Sequence, residues 1–177
     1  MSFWKEIKQE IGKVDSVIVL CVVESIGSSP GRQGFKMLVT RDSIYGSIGG
    51  GFMEHKLVEL SKSKLKEGRF TPFIKRQVHQ SNIPEDKSGM ICSGEQTIAF
   101  VYVDKSDLGV VNAINEGKAV LSVSESGLAI SESVLEGRYQ YDAKEWGYLE
   151  RLNFQNHVVI IGGGHVGLAL SKTMYDL

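Results

Sequence analysis

The sequence predicts an α+β fold, with an N-terminal domain built on a mixed sheet with flanking helices and one further strand–turn–helix unit after it. Three observations carry this. Trp4, Ile7 and Ile11 recur at helical spacing, opposite Lys5, Glu6, Lys8 and Glu10. Val17 to Val23 is an unbroken apolar run, the pattern of a strand covered on both faces. The C-terminal stretch joins a β-branched run, a glycine turn and a last apolar stripe at helical spacing. The expected division is a domain over residues 1–140, a linker over 141–155 and the start of a second unit over 156–177.

A chain of 177 residues has room for one ordinary domain and a fragment. Hydrophobic residues make up 42% and charged residues 23%, a globular balance. The net charge of −1 and the pI of about 6.4 give no reason to expect nucleic-acid or membrane binding. The run Val17–Val23 is far short of the ~20 residues a membrane helix needs. The N-terminus has acidic residues and no apolar signal segment. Two cysteines, Cys21 and Cys92, make no disulfide framework, so a reducing, cytoplasmic setting is expected.

Taken in order, a helix opens the chain and the Val17–Val23 strand follows, with Cys21 inside it as a core residue. A loop of Gly, Ser and Pro covers 25–34. Lys36–Thr40 and Ile44–Ser47 read as short strands joined across Arg41-Asp42-Ser43. A helix is expected at about 52–66, with Met53, Leu57, Leu60 and Lys64 on one face and Val58 and Leu65 widening the stripe. Residues 70–80 are a strand weakened by Pro72. A polar loop covers 81–94, and Gln96–Val103 is a strand. Ser106 is placed to cap a short helix ending at Gly117. Val120–Val123 and Leu128–Ser131 read as a hairpin turning at Ser126-Gly127.

Three loops hold the residues capable of chemistry. In Gly27-Ser28-Ser29-Pro30-Gly31-Arg32-Gln33-Gly34, hydroxyls, backbone N–H groups and the Arg32 guanidinium suit a phosphate, although an ordinary turn with a surface arginine also fits. In Gly46-Ser47-Ile48-Gly49-Gly50-Gly51, three glycines before a helix suit an anion cradle. The alternative there is a plain strand-to-helix turn, with Glu54 complementing the helix dipole. In Ser88-Gly89-Met90-Ile91-Cys92-Ser93-Gly94, the loop flanks of Cys92 suit an accessible thiol that ligates a metal or handles sulfur, against the alternative of a bystander. No paired cysteines and no histidine spacing suit zinc, and no serine-hydrolase elbow occurs.

Gly162, Gly164 and Gly167 have the G-x-G-x-x-G spacing of a dinucleotide turn, with Val166, Leu170 and Met174 following at helical spacing. Only the first βα unit of such a Rossmann-like domain is present, and the acidic residue expected about 20 positions on is not. NAD(P) binding by the 177-residue chain is therefore not expected, and residues 156–177 are expected either to pack on the N-terminal domain or another protomer or to be largely disordered, with self-association into a homo-oligomer favoured.

The three loops and this ending, in this order, resemble the xanthine dehydrogenase accessory factor family, XdhC/CoxI. The matching stretches are 27–39, 46–54, 89–94 and 160–167. The chain departs from the family's pattern at Ser93, where a glycine is common. The resemblance implies an XdhC/CoxI-type N-terminal domain over 1–140 and a cytoplasmic maturation factor for molybdenum hydroxylases. Such a factor binds molybdenum cofactor while a cysteine desulfurase supplies its sulfido ligand, then passes it to the apo-enzyme. The cofactor-binding residues implied here are Ser28, Ser29, Arg32, Gly49, Gly50, Gly51, Glu54, Cys92 and Ser93, with Cys92 as the metal or sulfur ligand. The reading is an accessory factor without turnover of its own. An NAD(P)-dependent oxidoreductase fragment and a scaffold module that only contacts an enzyme subunit are the alternatives.

Overall fold

The apolar run at Val17–Val23 becomes the middle of the molecule. The computed structural model describes residues 3–79, 94–117, 120–152 and 159–175. The elements are α1 (Phe3–Lys13), β1 (Ser16–Gly27), β2 (Lys36–Val39), β3 (Ile44–Gly46), α2 (Gly51–Glu67), β4 (Phe73–His79) and β5 (Gly94–Asp104). They continue as α3 (Leu108–Asn115), β6 (Val120–Ser124), β7 (Gly127–Ile130), β8 (Tyr139–Asp142), β9 (Gly147–Arg151) and α4 (His165–Tyr175). One sheet has the order β3-β2-β1-β5-β4 and a second has the order β7-β6-β9-β8.

Because side chains alternate along a strand, β1 feeds two cores. Val17, Val19, Cys21 and Val23 pack with Trp4, Ile7 and Ile11 of α1, Val111 and Ile114 of α3, and Leu121, Val123 and Tyr148 of the second sheet. Ile18, Leu20 and Val22 pack on the opposite side with Leu57, Val58 and Leu65 of α2, and with Ile48, Ile98 and Phe100. Burying each large aliphatic side chain contributes about 1.5–3 kcal/mol, so two faces on one strand double its return. The β1–β5 register slips between Val22, opposite Ile98, and Glu24, opposite Thr97, so Val23 is a bulge.

A buried ion pair joins the two sheets. Lys36 Nζ lies 2.5 Å from Glu150 Oε2, and the two side chains are only 10% and 4% exposed. Lys36 also donates to the Gly34 carbonyl at 2.9 Å, and the Tyr148 hydroxyl donates to Glu150 Oε2 at 3.1 Å. Cys21 sits beside this group. Burial pushes its thiol up to about 12, and the Lys36 ammonium only partly opposes this. Burial, with the Cys21 and Glu150 charges, also drives the Tyr148 phenol well above its usual range.

Several expectations are corrected. Every strand pairing among the described residues is antiparallel, so the sheets are not mixed. The supposed linker 141–155 holds part of the β8–β9 hairpin, whose inward side chains Tyr148 and Glu150 face the first sheet. A charged residue at an inward position concealed that strand. The cap before α3 is Asp104, not Ser106: Asp104 and Asp107 form a capping box around a short 3-10 turn, Lys105–Asp107. The turn of the β6–β7 hairpin falls one residue earlier than expected, with Gly127 already opposite Ser124. The buried stripe of α2 runs through Leu57, Val58, Ser61 and Leu65, so Ser61 takes the place expected of Lys64. Residues 159–164 form no strand, since no strand among the described residues pairs with them, and residue 158 lies outside those residues. The helix expected after the last glycine turn is present as α4.

Lys36→Met should lower the unfolding free energy by about 3–5 kcal/mol, because it leaves Glu150 charged and buried without its partner. Adding Glu150→Leu should recover most of that loss in urea titrations; losses that simply add would show that the pair does not couple the sheets. Iodoacetamide at pH 8 should spare Cys21 in the native protein, because its buried thiol stays protonated there, and should label Cys92 first. Peptide mass spectrometry reads the order, and earlier labelling of Cys21 would contradict the burial.

Candidate functional site

Two of the sequence loops, together with the last residue of the third, meet at one end of the first sheet. Gly27, at the end of β1, is opposite Gly94, at the start of β5. A side chain at Gly94 would lie 2.4 Å from the Ser29 backbone N, and one at Gly31 would lie 2.2 Å from the Ile48 carbonyl. One at Gly49, whose φ is 129°, would lie 2.5 Å from the Gly31 N. Backbone meets backbone here, and only glycine permits it.

Two buried glutamines form the floor. The Gly31 N–H donates to Gln96 Oε1 at 2.9 Å. Gln96 Nε2 donates to Gln77 Oε1 at 2.8 Å and more loosely to the Ile48 carbonyl at 3.4 Å. Gln77 and Gln96 are opposite one another on β4 and β5 and are 3% and 4% exposed. Gln77 Nε2 is buried and has no hydrogen-bond partner among the described residues. An orphaned amide donor of this kind costs about 1–3 kcal/mol, so it asks for an explanation.

The structure sorts the residues expected to act. Ser29 is buried, and its hydroxyl donates to the Gly31 carbonyl at 2.7 Å, which makes it a brace of the first loop. Ser28 is exposed at the rim. Arg32 is exposed and donates to the Gly27 carbonyl at 3.0 Å, which tethers the guanidinium beside the junction. In the second loop, Gly49, Gly50 and Gly51 all have positive φ, at 129°, 76° and 75°. The amides of Ile48 and Gly50 both donate to Glu54 Oε2 at 2.9 Å, and the Ser47 hydroxyl donates to it at 2.8 Å. The cradle is therefore filled by the chain's own carboxylate, as the dipole-complement alternative has it. Cys92 and Ser93 lie outside the described residues, two positions and one position before Gly94. Among the described residues no cluster of His, Cys, Asp and Glu suits a metal. Gly162, Gly164 and Gly167 lie away from this junction in sequence, the first two just before α4 and Gly167 in its first turn. Gly162 has a φ of 124°, and a side chain at Gly167 would strike the Gly162 carbonyl at 2.5 Å.

Sequence reasoning missed Gln77 and Gln96. Their signal was a glutamine at the loop end of each of two otherwise strand-like segments, which reads as ordinary surface polarity until the strands are placed side by side.

Residues 13–76 match the model of the XdhC and CoxI family, which bears out over that segment the resemblance read from the sequence. The match takes in β1 to β3, α2, the start of β4 and both glycine-rich loops. A crystal structure described as a xanthine dehydrogenase from Bacillus halodurans shares the fold, with a TM-score of 0.57 and 20% identity, over 85% of this chain and 53% of that one. The chain thus spans about half the length of that structure. No curated protein matches it. Among the described residues no helix is long and apolar enough to cross a membrane.

Gly31→Ala should separate the two loops and destabilise the protein by about 1–3 kcal/mol, because the obstructing atom is a backbone carbonyl. Gly12→Ala, in open space on α1, should be neutral or stabilising. Denaturant titration of both variants, with hydrogen exchange at Ile48 and Gly50, checks the contrast; equal effects would refute it.

Proposed function

We propose that this chain is a molybdenum cofactor-binding maturation factor that serves a xanthine dehydrogenase-type molybdenum hydroxylase. In this reading it holds the cofactor while a cysteine desulfurase supplies sulfur, and then hands it to the apo-enzyme. The observation that carries the reading is the convergence of Gly27–Gly34, Gly46–Gly51 and Gly94 on one pair of buried glutamines. The family match supports the accessory role, since its segment contains both loops.

The donors at the junction suit such a group. Molybdenum cofactor combines a phosphate, a hydrogen-bonding pterin and a dithiolene-bound metal. Gln77 Nε2 is a buried donor without an acceptor among the described residues, and Arg32 and Ser28 stand exposed at the rim. Because Glu54 already takes the amides of Ile48 and Gly50, the phosphate falls to Arg32 and Ser28. Glu54 keeps the second loop in shape. Cys92 is assigned to the metal or its sulfur on its chemistry alone.

The test is anaerobic mixing of the purified chain with molybdenum cofactor, followed by gel filtration. Metal and pterin should co-elute with the protein, and Arg32→Ala should reduce the bound fraction several-fold. Metal and pterin remaining wholly in the small-molecule fraction would overturn the reading. Capture of a hydroxylase subunit without any cofactor would favour the scaffold alternative.

A further inference from the structure

The direction of the hydrogen bonds in the floor of the site decides what the site can read. The Gly31 N–H can only donate, so Gln96 must turn Oε1 toward it, as it does at 2.9 Å. Gln96 Nε2 is thereby left to donate, and Gln77 must meet it with Oε1, as it does at 2.8 Å. Reversing either amide would set donor against donor. The chain of bonds thus has a fixed polarity, and it ends on Gln77 Nε2, which is buried and has no acceptor among the described residues. Through Gln96, which accepts from Gly31, this free donor is linked to the loop that carries Ser28 and Arg32.

Granted the cofactor-binding reading above, on which this rests, we infer that Gln77 reads the ligand, its Nε2 donating to a carbonyl oxygen or unprotonated ring nitrogen of the bound heterocycle. The site selects an acceptor at that position and rejects a donor. Gln96 touches no ligand and acts as the positioning residue, because it sets which way Gln77 faces.

Gln77→Glu isolates this role. One carboxylate oxygen still accepts from Gln96 Nε2, and only the second atom changes, from donor to acceptor. With molybdenum cofactor as probe, the 177-residue variant should bind at least tenfold more weakly than wild type at neutral pH. Binding should recover as the pH falls far enough to protonate the introduced carboxylate, because a carboxylic acid can donate again; a merely structural residue would show no such recovery. If the variant does not fold, Gln77→Met, which has no donor, must show the same weakening without the acid recovery. Wild-type binding with either folded variant equally tight overturns the role of Gln77 and leaves the cofactor reading standing. If wild type binds no cofactor, that reading fails, and a titration with pterin-6-carboxylate decides Gln77 alone. Saturable downfield movement of the Gln77 side-chain amide signals upholds the donor role, and unmoved signals overturn it.

Discussion

The structure depends on one strand being dry on both faces. β1 carries seven consecutive buried residues, Val17 to Val23, and it lies at the centre of the first sheet between β2 and β5. That requires a layer on each side. α2 supplies one, and α1, α3 and the second sheet supply the other. The connections follow. α2 leaves the loop after β3 and covers one face, and the chain returns through β4 and β5 before completing the layer that α1 began on the other. The second layer is not purely apolar. Lys36 on β2 reaches Glu150 on β9, and such a pair fixes one docking arrangement between the sheets rather than adding much attraction.

The same arrangement brings the glycine-rich loops together. β1 and β5 end side by side, so the loop leaving one and the loop entering the other must be neighbours. The loop before α2 joins them because Ile48 is anchored in the α2-side core. Each glycine at the junction stands where a carbonyl or amide of a neighbouring loop occupies the space of a side chain. Glu54 closes the second loop from inside, using the positive end of the helix to hold a carboxylate that is part of the chain. The junction is thus largely self-satisfied, with Gln77 Nε2 as an exception at its floor.

What could be read from the sequence was what depends on local pattern. Trp4, Ile7 and Ile11 gave α1, the unbroken run gave β1, and the glycines before Phe52 marked the start of α2. What could not be read depends on distant residues. Glu150 is charged and Tyr148 carries a hydroxyl, so β9 looked like connecting chain until Lys36, 114 positions away, supplied the partner for Glu150. Strand direction was hidden for the same reason: a mixed sheet was expected, and β4 after α2 is instead an antiparallel edge strand. The candidate loops were visible as glycine-rich motifs, but their roles were not. Whether an amide cradle is open or filled depends on where Glu54 points, and the importance of Gln77 and Gln96 appears only when β4 lies beside β5.

The bulge at Val23 acts as a reading-frame shift in the pleat. Up to Val22 the even-numbered residues of β1 face α2; beyond the bulge the odd-numbered ones do, because Ser25 stands opposite Gln96 and Gly27 opposite Gly94. Without the extra residue, Ile26 would be turned under the junction, where the backbones of Ser29 and Gly94 already touch. With it, Ile26 is turned to the other side, where it is half exposed, and a glycine takes the crowded place. Strand length between Val22 and Gly27 is therefore more constrained than side-chain identity. Deleting one residue there would invert every later position of the strand, whereas exchanging one apolar side chain for another would leave the frame intact.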